Sequence, residues 1–164
     1  MFVLGIDPGL TKTGYGLVRG GHPPRAVAAG VISTSADLDS GQRLAILYRG
    51  LAELIAEHRP DAVAIESVFT NRNLNTAISV GRASGVAILA AAQAGLEAAE
   101  YVPTAVKAAV TGDGSAHKRA VGEMVARLLK LAEPPRPADA ADALAVALCH
   151  LRSAPLRSAP ANVS

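Results

Sequence analysis

The sequence predicts a mixed α/β sandwich: a five-stranded sheet built in the order β-β-β-α-β-α-β-α-α-α, with helices on both faces. Three observations carry this. Three short apolar runs open the chain with only turns between them, which describes an antiparallel meander. Two longer stretches then follow at helical spacing, and each leads into another short strand-like run. The last third alternates helical stretches with Gly and Pro breaks.

Phe2 to Ile6 is an apolar run closed by Pro8-Gly9 and reads as a buried strand. Gly14 to Val18 and Ala26 to Ile32 read as two more, with the turn Gly20-Gly21-His22-Pro23-Pro24 between them. Asp39 or Ser40 is a suitable N-cap for a helix that carries Leu44, Leu47, Leu51, Leu54 and Ile55 on one side and ends at Arg59-Pro60-Asp61. Ala62 to Ile65 is a fully apolar strand. After a helical crossover it should pair in parallel with an earlier strand, and pairing with the first would set Glu66 beside Asp7. Ser67 to Leu74 is polar and loop-like. A small-residue helix is expected from about Thr76 to Ala94, with Gly95 as its stop. Its stripe Ala77, Val80, Ala83, Ser84, Ala87 and Ala91 suits either a dimer seam or packing on the protein's own sheet. Glu97 to Val102 is the fifth strand. Pro103 opens a short helix to Val110. Ser115 can cap a helix to about Leu131, and Asp139 begins or caps a final helix ending near Leu151.

The 164 residues fit one domain, placed at residues 1–151. Residues 152–164 repeat Arg-Ser-Ala-Pro and are expected to be disordered. With aromatics at 3% and no Trp, the core must be built from Ala, Val, Leu and Ile. The net charge of +2 permits nucleic-acid binding without arguing for it. A single cysteine, Cys149, excludes an internal disulfide and suits a reducing compartment. No apolar run approaches a membrane span, and Met1 leads into a strand without a basic leader, so a cytoplasmic location is expected.

Four carboxylates stand in settings that ordinarily reject charge. Asp7 and Glu66 each end an apolar strand, and Asp139 and Asp142 open an Ala-rich helix. Residues three apart on a helix share a face, so the two aspartates can aim at one point. If that helix packs near the carboxyl ends of the first and fourth strands, all four acids converge. An all-oxygen set suits a hard cation such as Mg²⁺. Two such ions roughly 3.5–4 Å apart would support in-line phosphodiester hydrolysis. Taken singly, Asp139 is equally an N-cap, Asp142 a first-turn acid favoured by the helix dipole, and Asp7 a turn-capping residue. Glu66 has no such local use.

Five collinear blocks resemble the RuvC-type Holliday-junction resolvases. They are Gly5-Ile6-Asp7-Pro8-Gly9 with Thr13-Gly14-Tyr15-Gly16, Ala64-Ile65-Glu66-Ser67-Val68-Phe69, Gly81-Arg82-Ala83-Ser84-Gly85-Val86-Ala87, Gly114-Ser115-Ala116-His117-Lys118, and the segment Ala138 to Ala145. The resemblance covers roughly residues 2–150. It implies a ribonuclease-H-like fold, a homodimer, Mg²⁺-dependent paired nicking of four-way DNA junctions (with Mn²⁺ able to substitute), and a branch-migration motor of the RuvA–RuvB type as partner. It also implies roles for named residues: Asp7, Glu66, Asp139 and Asp142 as metal-binding catalytic acids, Phe69 as a base-stacking aromatic, and Lys107 and Lys118 as phosphate contacts. Arg72, Asn73, Asn75 and Arg82 are candidates for the same DNA path, and each is equally ordinary surface. Leu10 follows the Asp-Pro-Gly where many relatives carry a hydroxyl, and the residues around Asn73 also depart from the pattern.

Other functions compete. Asp7-Pro8-Gly9-Leu10-Thr11 also fits the phosphate loop of an actin-like phosphotransferase, although that architecture needs a second domain and a second loop. A junction-binding protein without catalysis, and a hydrolase of RNA–DNA hybrids, share the same expected fold.

Overall fold

The computed structural model describes residues 1–67 and 73–157. The chain opens with strands β1 (Phe2–Asp7), β2 (Lys12–Arg19) and β3 (Arg25–Ser33), joined as the expected antiparallel meander. Helix α1 (Ser40–His58) crosses over to β4 (Ala62–Glu66), which pairs in parallel with β1. Helix α2 (Leu74–Gln93) crosses to β5 (Ala98–Tyr101), parallel to β4. The sheet order is β3-β2-β1-β4-β5. Helices α3 (Pro103–Thr111), α4 (Lys118–Leu129) and α5 (Ala138–Arg157) follow.

Strand alternation divides the interior into two cores. Phe2, Leu4, Ile6, Val63 and Ile65 face α1 and α2, against Leu47, Leu51, Ile55, Ala87 and Ala91. Val3 and Ala64 point the other way, toward Val106 of α3, Val125 of α4 and Leu144 to Cys149 of α5. The same phase puts Asp7 and Glu66 on the α5 side, two residues beyond Gly5 and Ala64.

Local chemistry accounts for several boundaries. Asp39 caps α1 by accepting from the Gln42 N–H at 3.0 Å, and the Gln42 side chain reaches back to the Asp39 N–H, a capping box. Gly95 follows α2 at φ 73°, as a C′ glycine does. Ser115 does not cap α4. Its N–H and hydroxyl both donate to Asp113 Oδ1, at 2.8 and 2.7 Å, and the helix starts two residues later with His117 at the N-cap. A local Asx turn has outcompeted the cap.

Two expectations about helices change. Helix α5 does not stop near Leu151 but runs to Arg157, because the Arg152 guanidinium donates to the Ala109 carbonyl of α3 and ties the next turn down. Residues 152–157 of the tail predicted to be disordered are therefore helical, and 158–164 lie outside the described residues. Helix α2, at 20 residues and mean hydropathy 1.3, is long and apolar enough to cross a membrane by length and composition. Its many small residues raise the mean without an unbroken apolar run. It sits instead on α1 and the sheet through Ala83, Ala87, Ala90 and Ala91. Much of the small-residue stripe thus packs internally. The large apolar side chains that α2 leaves exposed are Leu74, Ile78, Ile88 and Leu89.

Candidate active site

The approach of α5 to the sheet builds the site. A Cβ on Gly14 would stand 2.1 Å from the Asp139 carbonyl oxygen, and one on Gly5 would stand 2.1 Å from that of Ala143. Only glycine permits such contact. Gly14 is also the register partner of Asp7 across β1 and β2. The backbone of Asp139 therefore lies over the residue paired with Asp7, and Asp142 follows on the same helix face. Asp7 and Glu66 end adjacent parallel strands, each one residue beyond the paired Ile6 and Ile65.

The electrostatics report the convergence. The Asp7 carboxyl is pushed up from 3.8 to about 7, first by burial and then by Glu66, Asp142 and Asp139, with Lys118 pulling the other way. Glu66 is raised by burial and then by Asp142. Lys118, Lys107 and a hydrogen bond from the Asp7 carboxyl oppose that rise. Asp7 thus feels both helix aspartates, and Glu66 feels Asp142. Lys118 Nζ stands 2.5 Å from Asp142 Oδ2, and this bond raises the lysine's own pKa. Glu66, Lys107, Lys118 and Asp142 together line a cavity of about 210 Å³.

The donor set fits a hard cation: four carboxylates, two of them with charge disfavoured by burial, already draw an ammonium group to 2.5 Å. The acids are not gathered into a closed cage. Among the described residues no group of three or more His, Cys, Asp or Glu side chains is arranged to hold an ion as it stands, and Asp142 is turned to Lys118.

Position argues against two of the single-residue alternatives. Asp139 lies inside the first turn of α5, whose first N–H groups bond the Pro137 carbonyl, so it is not the cap. The turn after Asp7 is closed by Thr13, whose hydroxyl donates to the Gly9 carbonyl at 2.7 Å and accepts from the Gly9 N–H at 3.3 Å. Asn73 is the N-cap of α2, its side chain accepting from Asn75 and Thr76 N–H at 3.0 and 3.2 Å. Arg82 is exposed on α2, across the sheet from α5, and is not brought to the carboxylates. Phe69 and Arg72 lie outside the described residues. Reading the sequence overlooked the roles of Gly5 and Gly14. Glycines inside apolar strands are the signal that could have found them.

A mixed sheet in the order β3-β2-β1-β4-β5, flanked on both faces by helices and carrying acids at the ends of its two central parallel strands, defines a ribonuclease-H-like protein. The profile described as crossover junction endodeoxyribonuclease RuvC matches residues 3–150, and the chain belongs to that family. It is 51% identical over 160 residues to the crossover junction endodeoxyribonuclease RuvC of Streptomyces coelicolor, covering 96% of this chain and 85% of that protein. To the enzyme of the same name from Salinispora arenicola it is 54% identical over 153 residues, covering 92% and 87%. The solved structure of Thermus thermophilus RuvC in complex with Holliday junction substrate superposes with a TM-score of 0.91 at 39% identity, covering 96% of this chain and 97% of that one.

Proposed function

We propose that this protein resolves four-way DNA junctions by nicking two strands of like polarity, as a Mg²⁺-dependent homodimeric endonuclease. The observation that carries this is the mutual effect of the four acids, seen in an Asp7 carboxyl raised to about 7 by burial and by the other three. Asp7 and Glu66 would hold two metal ions from the sheet, and Asp139 and Asp142 from α5. Bound there, Mg²⁺ supplies Lewis acidity at the scissile phosphate and an activated water, and Mn²⁺ meets the same oxygen-ligand requirement.

The chain's own groups do the rest. The cluster repels a phosphodiester unless cations are present, and Lys107 and Lys118 on the rim offset that repulsion and hold the backbone. Lys118 must exchange Asp142 for a phosphate oxygen when the site is loaded. Phe69 is assigned to stack on a base at the opened junction, a contact worth about 1–3 kcal/mol. Arg72, Asn73 and Arg82 are assigned to the flanking DNA path, Asn73 through its amide N–H₂, since its oxygen caps α2. The exposed Leu74, Ile78, Ile88 and Leu89 make α2 the candidate dimer surface. A RuvA–RuvB type motor is the expected partner, residues 1–157 the nuclease domain, and the cytoplasm the expected compartment.

The test is a synthetic four-way junction incubated with protein and Mg²⁺ beside duplex and RNA–DNA hybrid controls. Symmetric nicks in the junction alone are expected. Cutting of the hybrid alone, or ATP turnover without nicking, would overturn the proposal.

A further inference from the structure

The turn after Asp7 leads into a second cavity, distinct from the one beside Glu66. It has a volume of about 410 Å³, and its wall includes Gly9, Lys12, Arg43, Asn75, Thr76 and Ser79. Among the described residues the lining carries two cationic side chains and no acid. Arg43 is fixed there by neutral acceptors. Its Nε donates to Thr34 Oγ1 at 2.9 Å and its Nη2 to Thr11 Oγ1 at 2.7 Å. Thr34 is itself buried and anchored, with its hydroxyl donating to the Leu10 carbonyl at 2.5 Å and its N–H to the Thr11 carbonyl at 3.0 Å. Hydroxyls orient a guanidinium without neutralising it, so Arg43 keeps its full charge and further N–H donors for an anion from outside. The carboxylate partner that a structural arginine commonly takes is replaced here by two threonines.

We propose that this cavity holds a backbone phosphate of the junction DNA close to the cut, gripped by Arg43 and Lys12 with neutral donors from α2. The assignment rests on the junction-cutting function proposed above. Gly9 is two residues beyond Asp7, about 7 Å of extended chain. A DNA strand repeats its phosphates at about 3.4 Å of axial rise, so a strand with its scissile phosphate at the carboxylates has a neighbouring phosphate within reach. Hydroxyl, amide and guanidinium donors are the groups that position a DNA backbone without reading its bases. The pair would therefore set the register of the strand at the metal site.

The experiment measures junction affinity across a salt series in the Asp7→Asn background, where cutting does not intervene. Arg43→Gln and Lys12→Gln are each expected to bind about tenfold more weakly and to lower the slope of log K against log salt by about 0.9 per lost phosphate contact. A methylphosphonate placed singly at each position flanking the cut locates the contact. One position should weaken the parent and leave the Arg43→Gln protein unchanged. Melting temperatures are read alongside, because Arg43 also staples Thr11 to Thr34. Lys12 is exposed, so Lys12→Gln must show the slope loss without a loss of stability. Unchanged slopes in both variants, or methylphosphonate effects that add independently of Arg43→Gln, would overturn the assignment while cutting by the unmodified protein still stood. Competition by inorganic phosphate without any methylphosphonate discrimination would mark a free-anion site and overturn it too. An unmodified protein that neither binds nor cuts the junction would remove the function and this inference together.

Discussion

Asp7 carries the electrostatic tension of the molecule in a single side chain. Its carboxyl titrates near 7 in the folded protein against 3.8 ordinarily, because burial and three neighbouring acids disfavour its charge. Between those values the folded state keeps a proton that the unfolded chain has released. Stability must therefore fall as pH rises through that window. In EDTA, the melting temperature at pH 8 is expected to lie below that at pH 5, and Asp7→Asn should flatten the difference. A variant with the parent's full pH dependence would contradict the assignment. At pH 8, Mg²⁺ should raise the parent's melting temperature, since a ligand at 100 times its Kd stabilises the folded state by about 2.7 kcal/mol. The same addition should do much less for Asp7→Asn. Two of the four acids were individually as well read as helix-start residues. Their shared role was legible only from the resemblance of whole blocks, because the contact of Asp139 with the sheet spans the length of the chain.

The elements divide into those that local chemistry sets and those that packing sets. Asp39 was legible as a cap because its hydrogen bond closes within three residues. Asp39→Ala should cost about 1 kcal/mol and leave cutting unchanged, as measured by chemical denaturation and a nicking assay. The three meander strands and the two parallel ones were legible for the same reason: apolar runs between turns. Ser115 shows where local reading fails, since its N–H and hydroxyl are taken by Asp113 and the helix is capped at His117 instead. The extent of α5 was hidden because Arg152 finds its acceptor on another helix. The closeness of α5 to the sheet was hidden too, although Gly5 and Gly14 inside strands hinted at it. Gly14→Ala would set a methyl group 2.1 Å from the Asp139 carbonyl oxygen and force the helix off β2. Destabilisation of about 1–3 kcal/mol is expected, with a loss of cutting larger than the loss of folded protein. A fully active Gly14→Ala protein would show that the acids do not depend on that contact.

At the scale of the whole molecule, two cores on opposite sheet faces give the protein two different jobs. The α5 side holds the acids, and the α2 side exposes Leu74, Ile78, Ile88 and Leu89. Leu89→Glu should shift the mass in solution at micromolar concentration from dimer toward monomer, and an unchanged dimer would place the interface elsewhere. The family match over residues 3–150 answers the phosphotransferase alternative. The most direct measurement titrates Mg²⁺ into protein and a labelled four-way junction starting from EDTA, with junction binding followed in parallel for the parent and Asp7→Asn. The expected result is binding by both proteins, no nick in EDTA, and paired nicks on adding Mg²⁺ from the parent alone. Nicks formed in EDTA, or an Asp7→Asn protein cutting at the parent rate, would contradict a metal-dependent nuclease centred on the four carboxylates.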